Sequence, residues 1–192
     1  MNEIRAVIRP LGEPGDLGWV VMAHGEQYAK EFGWDGSFEA LVARIVADYA
    51  AGRDPSREAA WIAELDGRRV GSVFCVAGED DEGGEEGEGG EEGEESEKGQ
   101  EFEKGRKGTA KLRILLVDPA ARGHRLGSRL VAQCVDFARD AGYERIRLWT
   151  NDTLAAARGI YLAAGFRLVE EEPHHSFGAD LIGQVYELDL SA

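Results

Sequence analysis

The chain has 192 residues and a formal net charge of −15, which is length enough for one ordinary domain with its own core. The charge is uneven: residues 78–108 hold 14 acidic and 4 basic side chains, a net of −10, and the remainder holds 23 and 18, a net of −5. The folded part is thus mildly acidic, which excludes general nucleic-acid binding, because neutralising phosphates needs a concentrated basic face.

Ala6-Val7-Ile8 opens as a short strand that Pro10 ends. Trp19 to Lys30 and Phe38 to Tyr49 read as helices. The second carries Phe38, Leu41, Ile45 and Tyr49 as a helical stripe, with Ser37 as its expected N-cap. Gly52 through Pro55 breaks that pattern. Trp61 to Leu65 and Arg69 to Val76 flank Asp66-Gly67. Asp-Gly between two such runs signals a hairpin, since the favoured tight turn needs positive φ.

Residues 78–108 contain ten glycines, and Phe102 is their only large apolar side chain. Such a segment cannot bury enough surface to offset the ordering of its backbone, so a disordered Glu/Gly-rich loop is expected between two strands. Loop-closure entropy grows slowly with length, so the core tolerates the insert. Leu126, Leu130, Cys134 and Ala138 then recur every four residues along a helix that Gly142 ends. Arg145 to Thr150 reads as a strand. A helix capped by Asp152 or Thr153 follows, reaches Ala164 and stops at Gly165. Phe166 to Val169 and Val185 to Leu188 alternate as closing strands, with His174 and His175 in a loop after Pro173. The order is βααββ and then βαβαββ, which predicts an α/β (α+β) fold with a mixed sheet and helices on both faces.

Cys75 and Cys134 lie 59 positions apart in apolar segments and read as buried reduced thiols. No Cys/His spacing suggests a metal. No run approaches the length of a bilayer span, and residues 1–10 lack the apolar stretch of a secretory signal, so a soluble cytoplasmic protein is expected.

The most informative stretch is Leu112 through Leu130. An apolar run ends at Asp118-Pro119, because proline offers no ladder donor and restricts the residue before it. Gly123 and Gly127 let the backbone approach a ligand with no Cβ in the way. The following helix points unpaired N–H groups back at this loop, where an anion fits, and Arg122, His124 and Arg125 add positive charge.

The Arg122-x-x-Arg125-x-Gly127 segment resembles motif A of the GNAT acyltransferases, whose pattern is Gln/Arg-x-x-Gly-x-Gly/Ala. Tyr161-Leu162-Ala163-Ala164-Gly165-Phe166 resembles the Tyr-x-x-x-Gly-Phe of motif B, whose tyrosine is the usual general acid. Glu170 to Gly178 and Tyr28 to Phe38 are similar to the acyltransferase half of MarR–GNAT fusion proteins; the winged-helix half has no counterpart. The resemblance covers nearly the whole chain except the acidic insert. Two positions depart from the pattern. Arg125 stands where motif A has its middle glycine, and Leu154 stands where many relatives carry an asparagine.

What the resemblance implies is a single GNAT acyl-CoA N-acyltransferase domain with a mixed, mostly antiparallel sheet. It would bind acetyl-CoA and transfer the acetyl group to a primary amine of a small molecule or peptide. Tyr161 would protonate the leaving sulfur. Leu115, Leu116 and Val117 would offer backbone groups to the pantetheine arm, and Arg122, Gly123, His124, Arg125, Leu126, Gly127 and Ser128 would hold the pyrophosphate. Asn151 would donate to the pantetheine amide. The strand before motif A often carries a glutamate base; here Lys111 and Arg113 stand on it, and neither is a base. Glu26, His174, His175 or a chain of waters are the alternatives. Glu26, Tyr28, Trp34, His174 and His175 are the candidates for acceptor contacts. A homodimer is compatible with this reading, and no nucleic acid or membrane partner is expected. The competing reading is a degenerate domain that senses acyl-CoA without transferring its group.

Overall fold

A computed structural model describes residues 5–78 and 108–191. Among these residues seven strands form one sheet in the order β1-β2-β3-β4-β5-β7-β6. The strands are β1 (Ala6–Pro10), β2 (Ala59–Leu65), β3 (Arg68–Ala77), β4 (Thr109–Val117), β5 (Arg145–Asn151), β6 (Arg167–Ser176) and β7 (Ala179–Asp189). The helices are α1 (Asp16–Phe32), α2 (Gly36–Gly52), α3 (Leu126–Asp140) and α4 (Ala155–Ala163). Every neighbouring pair is antiparallel except β4 and β5, which run parallel.

Two apolar layers cover the two faces of the sheet. On one face, the expected stripe of α3 is realised: Leu126, Leu130, Cys134 and Ala138 are all buried against Val73, Cys75, Leu112 and Ile146. On the other face, Val20 of α1 and Val42, Val46 and Tyr49 of α2 pack on Ile62 and Phe74. Both cysteines are buried and free. Burial pushes the Cys134 thiol well above its ordinary range.

The start of α1 is fastened by charge. Asp16 is fully buried and accepts hydrogen bonds from Arg9, from Arg69 Nε at 2.7 Å and from the main-chain N–H groups of Gly12 and Glu13. Burial alone would raise its carboxyl, but the hydrogen bonds from Arg9, Gly12, Arg69 and Glu13 outweigh that and hold it far below the carboxylate range.

Local chemistry differs from the sequence expectation at three places. Asp35, not Ser37, caps α2; its side chain accepts from the Ser37 N–H, two residues earlier than the apolar stripe suggests. Leu154 occupies the N-cap of α4 without a side-chain bond, because Asp152 Oδ1 is taken by the N–H of Ile182 across the sheet. His174 and His175 lie on β6 and not in a loop. Pro173 can sit in that strand because β6 is the sheet edge, where a missing donor faces no partner.

The expected disorder of the acidic insert falls on residues 79–107, outside the described residues. Its neck is described: the Gly78 N–H donates to the Thr109 carbonyl at 2.7 Å.

Candidate active site

The functional region begins where β4 and β5 part. Their parallel ladder runs from Thr109↔Arg145 to Leu112↔Leu148 and stops there. Beyond it, β4 continues to Val117 and stays paired with β3 on its other side. The register against β3 slips between Ser72 and Phe74: the three steps from Arg113 to Leu116 on β4 face only two on β3, so β4 carries one extra residue. This is a bulge, and Ile114 sits in it at φ 43°. A β-branched residue in the left-handed region is strained by about 1–2 kcal/mol. Its carbonyl is held by the Ser72 hydroxyl at 3.2 Å, and Ile114 itself packs on the α1/α2 cluster. The bulge bends β4 away from β5, so the β5-facing main-chain groups of residues 113–117 have no strand to bond. Gln27 of α1 reaches one of them, donating to the Val117 carbonyl at 3.4 Å.

The chain then makes a single 3-10 turn at Pro119–Ala121, which Asp118 caps by accepting from the Ala120 N–H at 2.7 Å. Gly123 takes φ 89°, with nothing within 4 Å of the place a Cβ would occupy. Arg125 takes φ 54° and ψ 23° as the N-cap of α3. It therefore adopts the left-handed conformation that the middle glycine of motif A would favour, with its side chain exposed. No side chain caps α3, and its first turn holds no acidic residue. Free N–H groups and the positive end of the helix dipole thus point into the loop.

The open strand edge and the loop face a common cleft of about 410 Å³. Leu115, Leu116, Val117, Arg122, Gly123, Arg125, Leu126, Gly127 and Ser128 line it, as does Tyr28. Phe32, which the sequence places with Tyr28 in an aromatic segment of α1, lines it too, and so does Leu154; sequence reasoning missed Gln27 and Glu31 on the α1 wall, and Thr153, Ala155 to Ala157 and Ile160 on the opposite wall. Glu31 pairs with Arg122 at 3.0 Å across the cleft mouth. Only the i, i+4 spacing of Gln27 and Glu31 on one helix face could have signalled them. His124 does not line the cleft; its Nδ1 lies 3.2 Å from the Ala121 carbonyl.

Tyr161 is 5% exposed on α4, with its ring against Phe166 and Tyr186 at 6.0 and 6.3 Å between centroids. It is not among the residues that line the cleft, although its neighbour Ile160 is. Its hydroxyl has no hydrogen-bond partner among the described residues. Burial, reinforced by Tyr28 and Cys134, raises its phenol far above the ordinary value, so it stays protonated at neutral pH. Tyr28 is pushed up to about 12 by burial and then by Glu31.

On the α1/α2 side, Asn151 ends β5 and is 1% exposed. Its Oδ1 accepts from His174 Nε2 at 2.8 Å, while His174 Nδ1 lies 2.9 Å from Ser176 Oγ. Both nitrogens of His174 are thereby committed, and the Asn151 amide N–H₂ keeps its donors free of any described partner. His175 is exposed and paired with Asp180 at 2.7 Å. Glu26 is exposed on α1. Trp34 is buried in a ring cluster with Tyr28, Phe32, Phe38 and Phe177, not displayed as a wall. The two-residue turn Phe177-Gly178 carries the tip of the β6–β7 hairpin onto the α1–α2 elbow, where the Asp35 N–H donates to the Phe177 carbonyl at 3.1 Å. Among the described residues no His, Cys, Asp and Glu grouping is arranged to hold a metal ion. None of their helices is long and apolar enough to cross a membrane.

A sheet splayed beside an uncapped helix start defines a fold class with a slot for an elongated, anion-ended ligand. Residues 27–166 match the model of the Acetyltransferase (GNAT) family, and the chain belongs to that family. It is 34% identical over 68 residues to an uncharacterized N-acetyltransferase of Schizosaccharomyces pombe, a stretch covering 35% of this chain and 42% of that one. It is 36% identical over 58 residues to the mycothiol acetyltransferase of Beutenbergia cavernae, covering 30% and 20% respectively. The matched stretch is thus under half the length of each of these relatives. Among solved structures it is similar to yncA of Salmonella typhimurium, determined with its cofactor acetyl-CoA, at a TM-score of 0.68 and 18% identity over 97% of this chain and 94% of that one. It is also similar to a ribosomal-protein-alanine N-acetyltransferase of Brucella melitensis, with a TM-score of 0.65 and 16% identity over 95% and 99%. At these identities the likeness establishes the fold.

Proposed function

We propose that the protein is an N-acetyltransferase that moves the acetyl group of acetyl-CoA to a primary amine of a small molecule or peptide by direct attack. The observation that carries this reading is the unpaired β4 edge after Leu112, continuous with the uncapped start of α3. An amide-bearing arm can complete the ladder at residues 115–117, and a diphosphate can accept from the N–H groups of residues 123–128. Arg122 and Arg125 add charge there. Acetyl-CoA would supply an activated thioester.

The chain's own residues supply the rest. Transfer makes a carbon–nitrogen bond at the amine and breaks a carbon–sulfur bond, and one amine proton must leave. Tyr161, at the motif B position and protonated at neutral pH, is the donor for the departing sulfur in this reading, reaching it from beside the cleft lining. Asn151, fixed by His174, presents its amide donors at the end of β5. No carboxylate stands on β4 before the bulge, and both nitrogens of His174 are engaged, so the amine proton leaves through water. Tyr28 to Phe38 and Glu170 to Gly178 meet through Trp34 and Phe177 at 4.9 Å. That contact supports reading both segments as one acceptor-side unit, similar to the acyltransferase half of MarR–GNAT fusions.

Release of free CoA thiol with an amine panel tests the activity. Tyr161→Phe is expected to lower kcat by about 10²–10⁴-fold with acetyl-CoA affinity kept. Wild-type turnover in that variant removes the acid assignment. Tight acetyl-CoA binding with no thiol released from any amine would instead support the sensing role.

A further inference from the structure

We propose that the amine acceptor carries a carboxylate, which docks on Arg113 beside the half-exposed ring of Trp149. The inference rests on the acetyl-transfer reading and names the class of its acceptor.

Three observations carry it. Arg113 pairs with Phe74 in register, and its side chain therefore shares the α1/α2 face of the sheet. It is half-buried, one residue past the end of the β4–β5 ladder, and its guanidinium has no hydrogen bond or ion pair among the described residues. The other half-buried arginines among the described residues are all engaged. Arg9 and Arg69 bind Asp16, Arg57 binds Tyr143, and Arg147 binds Glu187. Arg158 binds Tyr186, and Arg145 interacts with Asp189. Because Glu187 and Asp189 are already matched, the neighbouring strands offer Arg113 no counter-charge. A partly desolvated guanidinium without an anion is costly, and a carboxylate is its best bidentate partner.

Trp149 follows Leu148, so Arg113 and Trp149 are the first residues of the two strands after the ladder ends. Trp149 is 50% exposed yet held in place: a Cβ on Gly183 would lie 2.9 Å from its Nε1, and the His174 ring lies 5.5 Å away. Its free face is a platform for the apolar body of a ligand. Lys111, two residues earlier on the same face, also lacks a described partner and extends the positive field. A cation, an aromatic platform and a thioester slot meeting at one strand divergence select an amine such as an α-amino acid over its decarboxylated analogue.

The test pairs each amino acid with the amine lacking its carboxylate, phenylalanine with phenethylamine for example, and follows free CoA thiol. Wild type is expected to favour the carboxylated member. Arg113→Gln should raise the KM of that member about ten- to hundredfold, the scale of one lost charge-assisted bond, without moving the KM for acetyl-CoA. Melting should not change, because the guanidinium has no partner to lose. Arg113→Glu should reverse the preference. Equal KM values for the two members in wild type, or equal effects of Arg113→Gln on both, overturn the proposal. Amino-acid quenching of tryptophan fluorescence, with Trp149→Phe as control, reads docking without turnover. Loss of quenching in Arg113→Gln upholds the docking and its persistence refutes it, even where no amine is acetylated and the transfer reading fails.

Discussion

The loop at 119–128 and the bulge at 113–117 both offer main-chain groups to one cleft, and both turn on a non-glycine residue in the left-handed region. Arg125 does so at φ 54° and Ile114 at φ 43°. Apart from the exposed Arg122–Glu31 pair, the described hydrogen bonds of the loop are local. Gly123 turns it, Asp118 caps its first turn, and Arg125 lies open to solvent. The bulge is shaped from afar. Ser72, 42 positions away, holds the Ile114 carbonyl, and the buried ring of His24 stands against the same carbonyl from α1. A short-range device can be altered without disturbing the core, whereas a long-range one is part of the core.

That contrast can be broken by measurement. The largest effect expected is acid destabilisation belonging to the bulge side alone. Burial holds His24 down to about 4 from an ordinary 6.5, against a smaller upward pull from the Val20 and Ile114 carbonyls. The unfolded chain therefore binds the extra proton first as pH falls. Stability is full above about pH 6.5, drops through the window toward about 4 and levels off below it, by up to about 3 kcal/mol. Denaturation midpoints across that window should flatten in His24→Phe; an unchanged slope would mean the ring is not the source.

A smaller effect is expected in the loop. Gly123→Val meets open space, so its cost is conformational, about 1–2 kcal/mol. Acetyl-CoA affinity by calorimetry should fall about tenfold. Retained affinity would show that the loop does not need its left-handed residue. The smallest effect sharpens the division. Ser72→Ala removes one donor from the Ile114 carbonyl and should lower stability by about 0.5–1.5 kcal/mol. The affinity of the loop for inorganic pyrophosphate should not change. A parallel loss of pyrophosphate affinity would mean that the two regions act as one.

The same division decides what the sequence revealed. Periodicity on α3, Asp66-Gly67 and the Gly123 to Gly127 spacing are local, and they yielded the element order, the sheet class and the loop. Register is not local. Nothing in Leu112 to Val117 marks Ile114 as the bulged residue, since a β-branched side chain argues for an ordinary strand there. Pro173 misled for the same reason: a proline reads as a strand breaker unless the strand is known to be an edge. The α1 wall, Gln27 and Glu31, was hidden because it faces the cleft only through the placement of one helix over the sheet. The unmatched charge of Arg113 becomes visible only once Glu187 and Asp189 are seen to be taken.

The neck of the acidic segment has a practical corollary. Gly78 and Thr109 are bonded to each other at 2.7 Å, and a Cβ on Gly78 would come within 2.6 Å of the Thr109 oxygen. The polypeptide therefore leaves and re-enters the sheet through one clasp, at the end of the β3–β4 pair away from the β4 bulge. Foreign sequence, such as an epitope or a reporter domain, can be grafted between the two residues provided the glycine is kept.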